Sequence, residues 1–465
     1  MFISVILLAL TAISSIIMMK NVGEISKKSF LYVIVFNIFI LFYVIVTNGF
    51  RWQFSVLFVI VFVLYVMVIF SRLQIISLNK IGRIITIGLT GFITVITLIL
   101  AYGFPVYSMP SISGDFLVGT QTFEVTDEKR LEIYTEDPDD VRKIKIQVWY
   151  PAQTIQGYKP SMWLDDGLDI PRALTKDWGL PSFILDQTIE IRSNSFKDAP
   201  LNDAIDDYPV VIISHGWSGF RNLHSDLAEE YASQGYIAVA IDHTYGSLAT
   251  VFEDDVAYLN KAALPLREDT PDFLDYANRL VNVYGDDTIS TIDYLEQMNQ
   301  DETHEFYGRL DLTSIIAIGH STGGGGIVSA ALKDDRIKGI IGLDAWVESI
   351  ELSRLLEGLS TPALFLRSGA WEISFNNERL YQLVEASTES YLYQVNGTTH
   401  YDFAMVYMYS PFTGILEITG DVDGDRVNQL LEDISLDFMN DISRQTLYAP
   451  SMEMYEELEE VNMNE

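Results

Sequence analysis

Ser314-Ile315-Ile316-Ala317-Ile318-Gly319-His320-Ser321-Thr322-Gly323-Gly324-Gly325-Gly326 is the stretch that decides the fold of this chain. A β-rich apolar run meets Gly-His-Ser-Thr-Gly and then a tract of glycines. That order reads as a strand, a sharp turn with a serine on its point, and a helix. Glycines flank the serine because side chains there would clash where strand and helix fold back on each other. The elbow holds the Ser321 hydroxyl out above a sheet, beside the N-terminus of the following helix. The pentapeptide alone is a weak signal, and its flanks make the reading.

Around the elbow, residues 114–443 read as α/β. Short apolar runs at 210–213, 236–241, 315–318, 337–343 and 363–366 suit strands buried on both faces. Residues 143–150 alternate like a half-exposed strand near a sheet edge. Helical stretches at 225–234 and 288–298 lie between the runs. Strands alternating with helices imply right-handed crossovers and a mostly parallel sheet with helices on both faces. The length is generous for one such domain, and the polar segments 157–202 and 246–287 are the expected insertions.

The N-terminal part has a different composition. Residues 2–19, 31–47, 54–70 and 84–102 are nearly uncharged apolar runs, each close to the roughly 20 residues that cross a bilayer as a helix. A cleaved signal peptide would start with a basic segment, and Met1-Phe2-Ile3-Ser4 has none. Four membrane spans are expected. Lys20, Lys27 and Lys28 fall between the first two, Arg72, Lys80 and Arg83 between the last two, and Arg51 alone in the middle loop. Basic loops stay in the cytoplasm, so the N-terminus and everything after Tyr102 should face outward. The absence of cysteine agrees with an extracytoplasmic domain that needs no disulfides.

The chain carries 64 acidic and 30 basic residues. Seven of the basic residues but only Glu24 of the acids precede Phe104, so the remainder is strongly acidic. Nucleic acid is thereby excluded as an expected partner, and electrostatic docking on anionic lipid is disfavoured. The expected organisation is a four-span region over 1–104, a catalytic domain over 105–446 and an acidic tail over 447–465. The tail, from Met452 on, reads as disordered or as a frayed helix.

A serine hydroxyl needs a base within hydrogen-bond reach. Behind an elbow of this type the chain order is serine, acid, histidine. Only His400 follows Ser321, in Val395-Asn396-Gly397-Thr398-Thr399-His400-Tyr401-Asp402-Phe403, so it is the expected base. Two acids follow strands directly: Asp344 in Gly342-Leu343-Asp344-Ala345-Trp346, and Glu372 in Ser368-Gly369-Ala370-Trp371-Glu372. Asp344 is closer to its strand end and stiffer, but spacing leaves both open.

An oxyanion needs two preorganised N–H donors. Thr322, next after the nucleophile, supplies one. Trp217, in the strand-and-loop segment Val210-Val211-Ile212-Ile213-Ser214-His215-Gly216-Trp217, is the natural second. His215 reads as a histidine that orders this loop, and His243 as a pocket-rim residue. Gly216, His320, Trp346 and Phe403 complete the expected pocket.

These segments resemble the platelet-activating factor acetylhydrolases of the plasma and type II class. The resemblance is carried by Val148-Trp149-Tyr150-Pro151, Ser214-His215-Gly216-Trp217-Ser218-Gly219-Phe220-Arg221, the elbow, and Leu343-Asp344-Ala345-Trp346. Residues 397–403 and Gly420-Asp421-Val422-Asp423 are also similar to family segments. It implies an α/β-hydrolase fold, Asp344 rather than Glu372 as the acid, oxyanion donors at Trp217 and Thr322, and no metal or other cofactor. It also implies an ester substrate, a phospholipid with a short or oxidised acyl chain. Trp217 departs from the smaller aliphatic residue expected there, and the four spans lie outside the resemblance. Gly323 to Gly326 is also similar to bacterial cutinase-like polyesterases, so a general carboxylesterase or polyester hydrolase is the alternative. A membrane sensor that keeps the fold without turnover is the alternative of another class.

One acidic cluster has calcium-loop spacing: Asp421-Val422-Asp423-Gly424-Asp425, with Glu432 twelfth. Arg426 stands where the loop requires glycine, and 427–439 has helical periodicity. The cluster therefore reads as the cap of a helix N-terminus.

Overall fold

The structure, a computed structural model, describes residues 2–21, 23–49, 51–77, 79–371, 374–444, 448 and 455–463. The chain divides into two compact units. One comprises residues 1–106 with the short segments 183–187 and 409–412; the other comprises 107–182, 188–408 and 413–465.

The first unit holds four helices, α1 (Phe2–Lys20), α2 (Lys27–Asn48), α3 (Trp52–Arg72) and α4 (Lys80–Gly103). All four are long and apolar enough to cross a membrane. Their inner faces meet through Val5, Leu8, Ala12, Phe54, Leu57 and Val61. Phe36, Phe39, Phe62 and Phe92 stand exposed on the outer faces. A helix that is apolar all round has no polar side for water. Several polar side chains inside these helices are satisfied within the bundle: Asn37 Nδ2 donates to Ser14 Oγ (2.6 Å), and Thr11 and Ser15 donate to the preceding turn. Within the same unit Ser410 Oγ donates to Gly103 O (2.5 Å), and Phe183 packs edge-on against Trp52.

The second unit is built on an eleven-stranded sheet. In chain order the strands are β1 (Leu117–Leu131), β2 (Val141–Ala152), β3 (Lys159–Met162), β4 (Arg192–Lys197), β5 (Tyr208–Ser214) and β6 (Ile237–Asp242). A separate hairpin, β7 (Ala249–Val251) and β8 (Val256–Tyr258), follows. The sheet continues with β9 (Leu310–His320), β10 (Ile337–Leu343), β11 (Ala363–Ser368), β12 (Ser390–Val395) and β13 (Leu458–Glu460). Its spatial order is β13-β12-β11-β10-β9-β5-β6-β2-β1-β4-β3, with the six strands from β12 to β6 parallel.

The helices of this unit are α5 (Asp169–Asp177), α6 (Ser225–Ser233), α7 (Phe273–Gln300), α8 (Thr322–Ala331), the single turn α9 (Leu352–Leu355), α10 (Ser374–Ala386), the single turn α11 (Phe412–Ile415) and α12 (Gly424–Arg444). Alternate strand residues feed two cores. Val210 and Ile212 pack with Val281, Ile292 and Ile327 of α7 and α8 on one face. Val211 and Ile213 pack with Leu227, Tyr231 and Phe438 of α6 and α12 on the other. Burial on both faces is why these strands read as unbroken apolar runs.

Two expectations are corrected. β2 is not near an edge: it pairs antiparallel with β1 and β6, and Arg142, Lys145 and Gln147 on it are buried. Arg142 and Lys145 tolerate this because Arg142 pairs with Glu132 and Asp287, and Lys145 with Asp166. The segment 246–287 carries the β7–β8 hairpin and the start of α7, at Phe273. The acidic tail is not wholly loose: β13 pairs antiparallel with β12, with Tyr455 and Leu458 buried and Glu457 bound twice by Arg426 (2.9 Å each).

The acidic cluster lies at the start of α12. Asp423 Oδ1 accepts from Asp425 N–H (3.1 Å), and Glu432 accepts from Asn428 Nδ2 (2.7 Å).

Candidate active site

Strand order reverses between β9 and β5, because β6 lies on the far side of β5 while β10 lies beyond β9. Loops leaving the carboxyl ends of those two strands diverge to opposite faces and open a crevice there. Ser321 follows β9 directly and has φ 57°, ψ −120°, a left-handed conformation that side chains disfavour. Its neighbours hold the strain in place. Ser321 N–H donates to Leu343 O (2.9 Å), and Ser321 O accepts from Trp346 N–H (2.9 Å) and Gly325 N–H (3.1 Å). The glycines have a steric cause. A Cβ on Gly319 would lie 2.4 Å from Gly323 O, and one on Gly323 would lie 2.2 Å from Ser214 O.

Asp344 leaves β10 and His400 begins the turn after β12. The imidazole Nδ1 stands 3.0 Å from Asp344 Oδ2. Ser368, at the end of β11, completes the carboxylate's shell: its N–H donates to Oδ1 (2.7 Å) and its Oγ to Oδ2 (2.5 Å). Burial pushes the Asp344 carboxyl upward, and the two Ser368 donors with nearby Arg367 pull it back toward the ionised form. Burial also holds the His400 imidazole down, to about 4, so it is neutral at pH 7. With Nδ1–H directed at the carboxylate, Nε2 is left as the basic nitrogen.

The His400 turn is itself braced. Thr399 N–H and Oγ both bond Asp402 Oδ2 (2.6 and 3.0 Å), His320 Nε2 donates to His400 O (3.0 Å), and Trp371 stands edge-on to the ring (3.9 Å between centroids). Ser368 and Trp371 were not anticipated. Both lie in the short segment that carries Glu372, where only the charged residue drew notice. Glu372 lies outside the described residues.

Ser321 and His400 line one open pocket of about 700 Å³, together with Trp217, Thr322, Phe273, Trp346, Trp371 and Tyr401. Its walls are mainly apolar and aromatic, and its one arginine, Arg267, is tied by two hydrogen bonds to Glu348 (2.8 and 2.7 Å). Among the described residues neither Trp217 N–H nor Thr322 N–H has an acceptor. Of the expected pocket residues, Trp346 lines the cavity. Gly216 lies against Ser321, where a Cβ would come 2.9 Å from the serine Cβ. His215, His320 and Phe403 are buried behind the wall, and His243 is not at the rim but fully buried between Ser214 and Asp287.

Comparison with known proteins agrees with this architecture. A platelet-activating factor acetylhydrolase from Cavia porcellus is 23% identical over 323 residues, covering 63% of this chain and 71% of that protein. Cutinase est1 from Thermobifida alba is 24% identical over 197 residues, 42% of this chain and 54% of the cutinase. The solved structure of a ferulic acid esterase from Streptomyces cinnamoneus superposes with a TM-score of 0.60 at 19% identity, over 77% of this chain and all of that one. It shares the α/β-hydrolase sheet. The family description "Platelet-activating factor acetylhydrolase, isoform II" matches residues 102–446, and the chain belongs to that family.

Proposed function

We propose that the protein is a serine esterase in which Ser321, His400 and Asp344 act as nucleophile, base and acid. The observation that carries this is the convergence of three strand ends on one pocket. A strained serine, a neutral histidine held by a buried carboxylate, and two N–H groups without acceptors among the described residues meet there. Ser321 Oγ attacks the ester carbonyl as His400 Nε2 takes its proton. Asp344 holds the tautomer and stabilises the imidazolium, while Trp217 and Thr322 N–H bind the oxyanion. His400 returns the proton to the leaving alcohol, and water then releases the acyl group from Ser321.

The favoured substrate is a phospholipid with a short or oxidised acyl chain. Family membership supports it, as does a pocket whose described walls are mainly apolar and whose arginine is paired with Glu348. The four apolar helices would anchor the enzyme in the cell membrane, with the basic first and third loops inside and the catalytic unit outside. A second reading, cleavage of polyesters or general carboxylic esters, is favoured by the openness of the aromatic pocket and the cutinase relative.

The test uses the full chain in detergent. A fluorophosphonate probe should label the parent and not Ser321→Ala, and labelling of both would sink the mechanism. Turnover across acyl lengths, on phosphatidylcholines and on p-nitrophenyl esters, separates the two substrate readings.

A further inference from the structure

Building on the proposed mechanism, we infer that His215 is a positioning residue that sets the direction of the Trp217 N–H, the oxyanion donor contributed by the β5 loop. His215 Nδ1 lies 2.7 Å from the carbonyl oxygen of Gly216. A carbonyl only accepts, so Nδ1 carries the hydrogen and the tautomer is fixed. Gly219 N–H donates to the same oxygen (3.0 Å). The Gly216–Trp217 peptide is planar and trans, so its N–H points opposite to its C=O. Two donors hold the oxygen on the inner side, and the Trp217 N–H is thereby turned outward, where no acceptor within the described protein meets it. The Trp217 side chain lines the catalytic pocket, and Gly216 lies against Ser321.

The other ring nitrogen tells how the histidine is kept in place. With Nδ1 protonated, Nε2 accepts, and Ser247 Oγ donates to it at 2.8 Å. Beneath it runs a second, fully buried chain. Asp287 Oδ2 faces His243 Nδ1 (3.0 Å), and His243 Nε2 faces Ser214 Oγ (2.8 Å), one residue before His215. Arg142 (3.0 and 2.6 Å) and Arg130 (2.6 Å) neutralise that carboxylate. Ser214, His243 and Asp287 have no exposure, so this serine–histidine–aspartate chain cannot meet substrate. It anchors the base of the oxyanion loop. Burial keeps both histidines below their ordinary range, in the neutral form this bonding requires.

A pair of substitutions separates the two nitrogens. In His215→Asn the amide N–H reaches roughly where Nδ1–H stood and preserves the bond to Gly216 O. In His215→Gln the amide reaches toward Ser247 and the donor to Gly216 is lost. Kinetics of the full chain on p-nitrophenyl acetate should show kcat falling on the order of 10²-fold in His215→Gln with KM unchanged, the signature of a lost oxyanion donor. His215→Asn should recover most of that loss. Equal kcat in the two variants, or a loss that appears in KM, would overturn the inference. Melting temperatures of both variants guard against misfolding, and a kcat that merely followed them would count against it too. Ser321→Ala is the control: if it retains activity, the mechanism itself fails, whereas an inactive Ser321→Ala beside a fully active His215→Gln removes only the role of His215.

Discussion

Replacing Gly323 with alanine tests how the helix bearing the elbow is fitted to the oxyanion loop. The new Cβ would stand 2.2 Å from Ser214 O and 2.5 Å from His215 O, both main-chain atoms that cannot rotate away. Carbon–oxygen contacts settle near 3.3 Å, so the start of α8 and the end of β5 must part by roughly 1 Å. Overpacking of this kind costs about 1–3 kcal/mol, less the few tenths that alanine gains over glycine in a first helical turn. The melting temperature should therefore fall by a few degrees. Activity should suffer more, because Thr322 N–H rides on α8 and Trp217 N–H on the loop. A misplacement of about 1 Å in catalytic groups lowers the rate on the order of 10²-fold, about 2.7 kcal/mol of barrier. The assay is kcat and KM for p-nitrophenyl acetate on the full chain in detergent, with melting followed in parallel. Gly339→Ala is the comparison, since its Cβ would meet only side-chain carbons at 3.4–3.6 Å and should leave both readings near the parent. A Gly323→Ala enzyme with kcat within about threefold of the parent would refute the reasoning.

Asp344→Asn should lower kcat by about 10⁴-fold while leaving the fold intact, because an amide presents the wrong hydrogen to His400 Nδ1; a loss below tenfold would exclude Asp344 as the acid. Ser368→Ala removes the 2.5 Å donor to the carboxylate but keeps the main-chain one. Losing a donor to the ionised form raises the carboxyl pKa, so the acid limb of kcat/KM should move to higher pH, and an unmoved limb would count against the contact. His224 is buried, its Nε2 has no hydrogen-bond partner among the described residues, and burial holds it down to about 3. Its folded pKa lies below the unfolded 6.5, so protonation favours the unfolded chain and stability is lost as pH falls from 6.5 toward 3. Against His224→Phe, the parent should lose about 2 kcal/mol between pH 7.5 and 5.0, read from denaturant midpoints; parallel pH profiles would contradict this.

What was legible in the sequence was local. The elbow at Ser321 is a conformational constraint written in six neighbouring residues. The four apolar helices follow from composition over windows of about 20 residues. Chain order singles out His400 and family resemblance singles out Asp344, and the structure brings the two side chains within 3.0 Å of each other. The helix α12 was visible from its helical periodicity, and five of the six parallel strands from apolar runs, since burial on both faces leaves such a run.

The rest depends on what the fold brings together across long separations, which no window of sequence contains. β2 looked like an edge strand because, after Arg142, Lys143, Lys145 and Gln147 alternate with apolar residues. It is central because Asp287, Asp166 and Asn222, from distant segments, satisfy Arg142, Lys145 and Gln147 within the interior. The acidic tail looked loose by charge, yet Tyr455 and Leu458 find the edge of β12. Ser368 became part of the acid's shell only because β11 lies beside β10. His215 and His243 were two histidines near strand ends until their partners, Gly216 O and Asp287, placed the hydrogen of each neutral ring on Nδ1. Sequence alone determined where the elbow serine and the apolar helices must be, because backbone geometry is a short-range property. Tertiary structure decided which polar groups face one another, because hydrogen-bond partners in a sheet are set by strand order rather than by chain order.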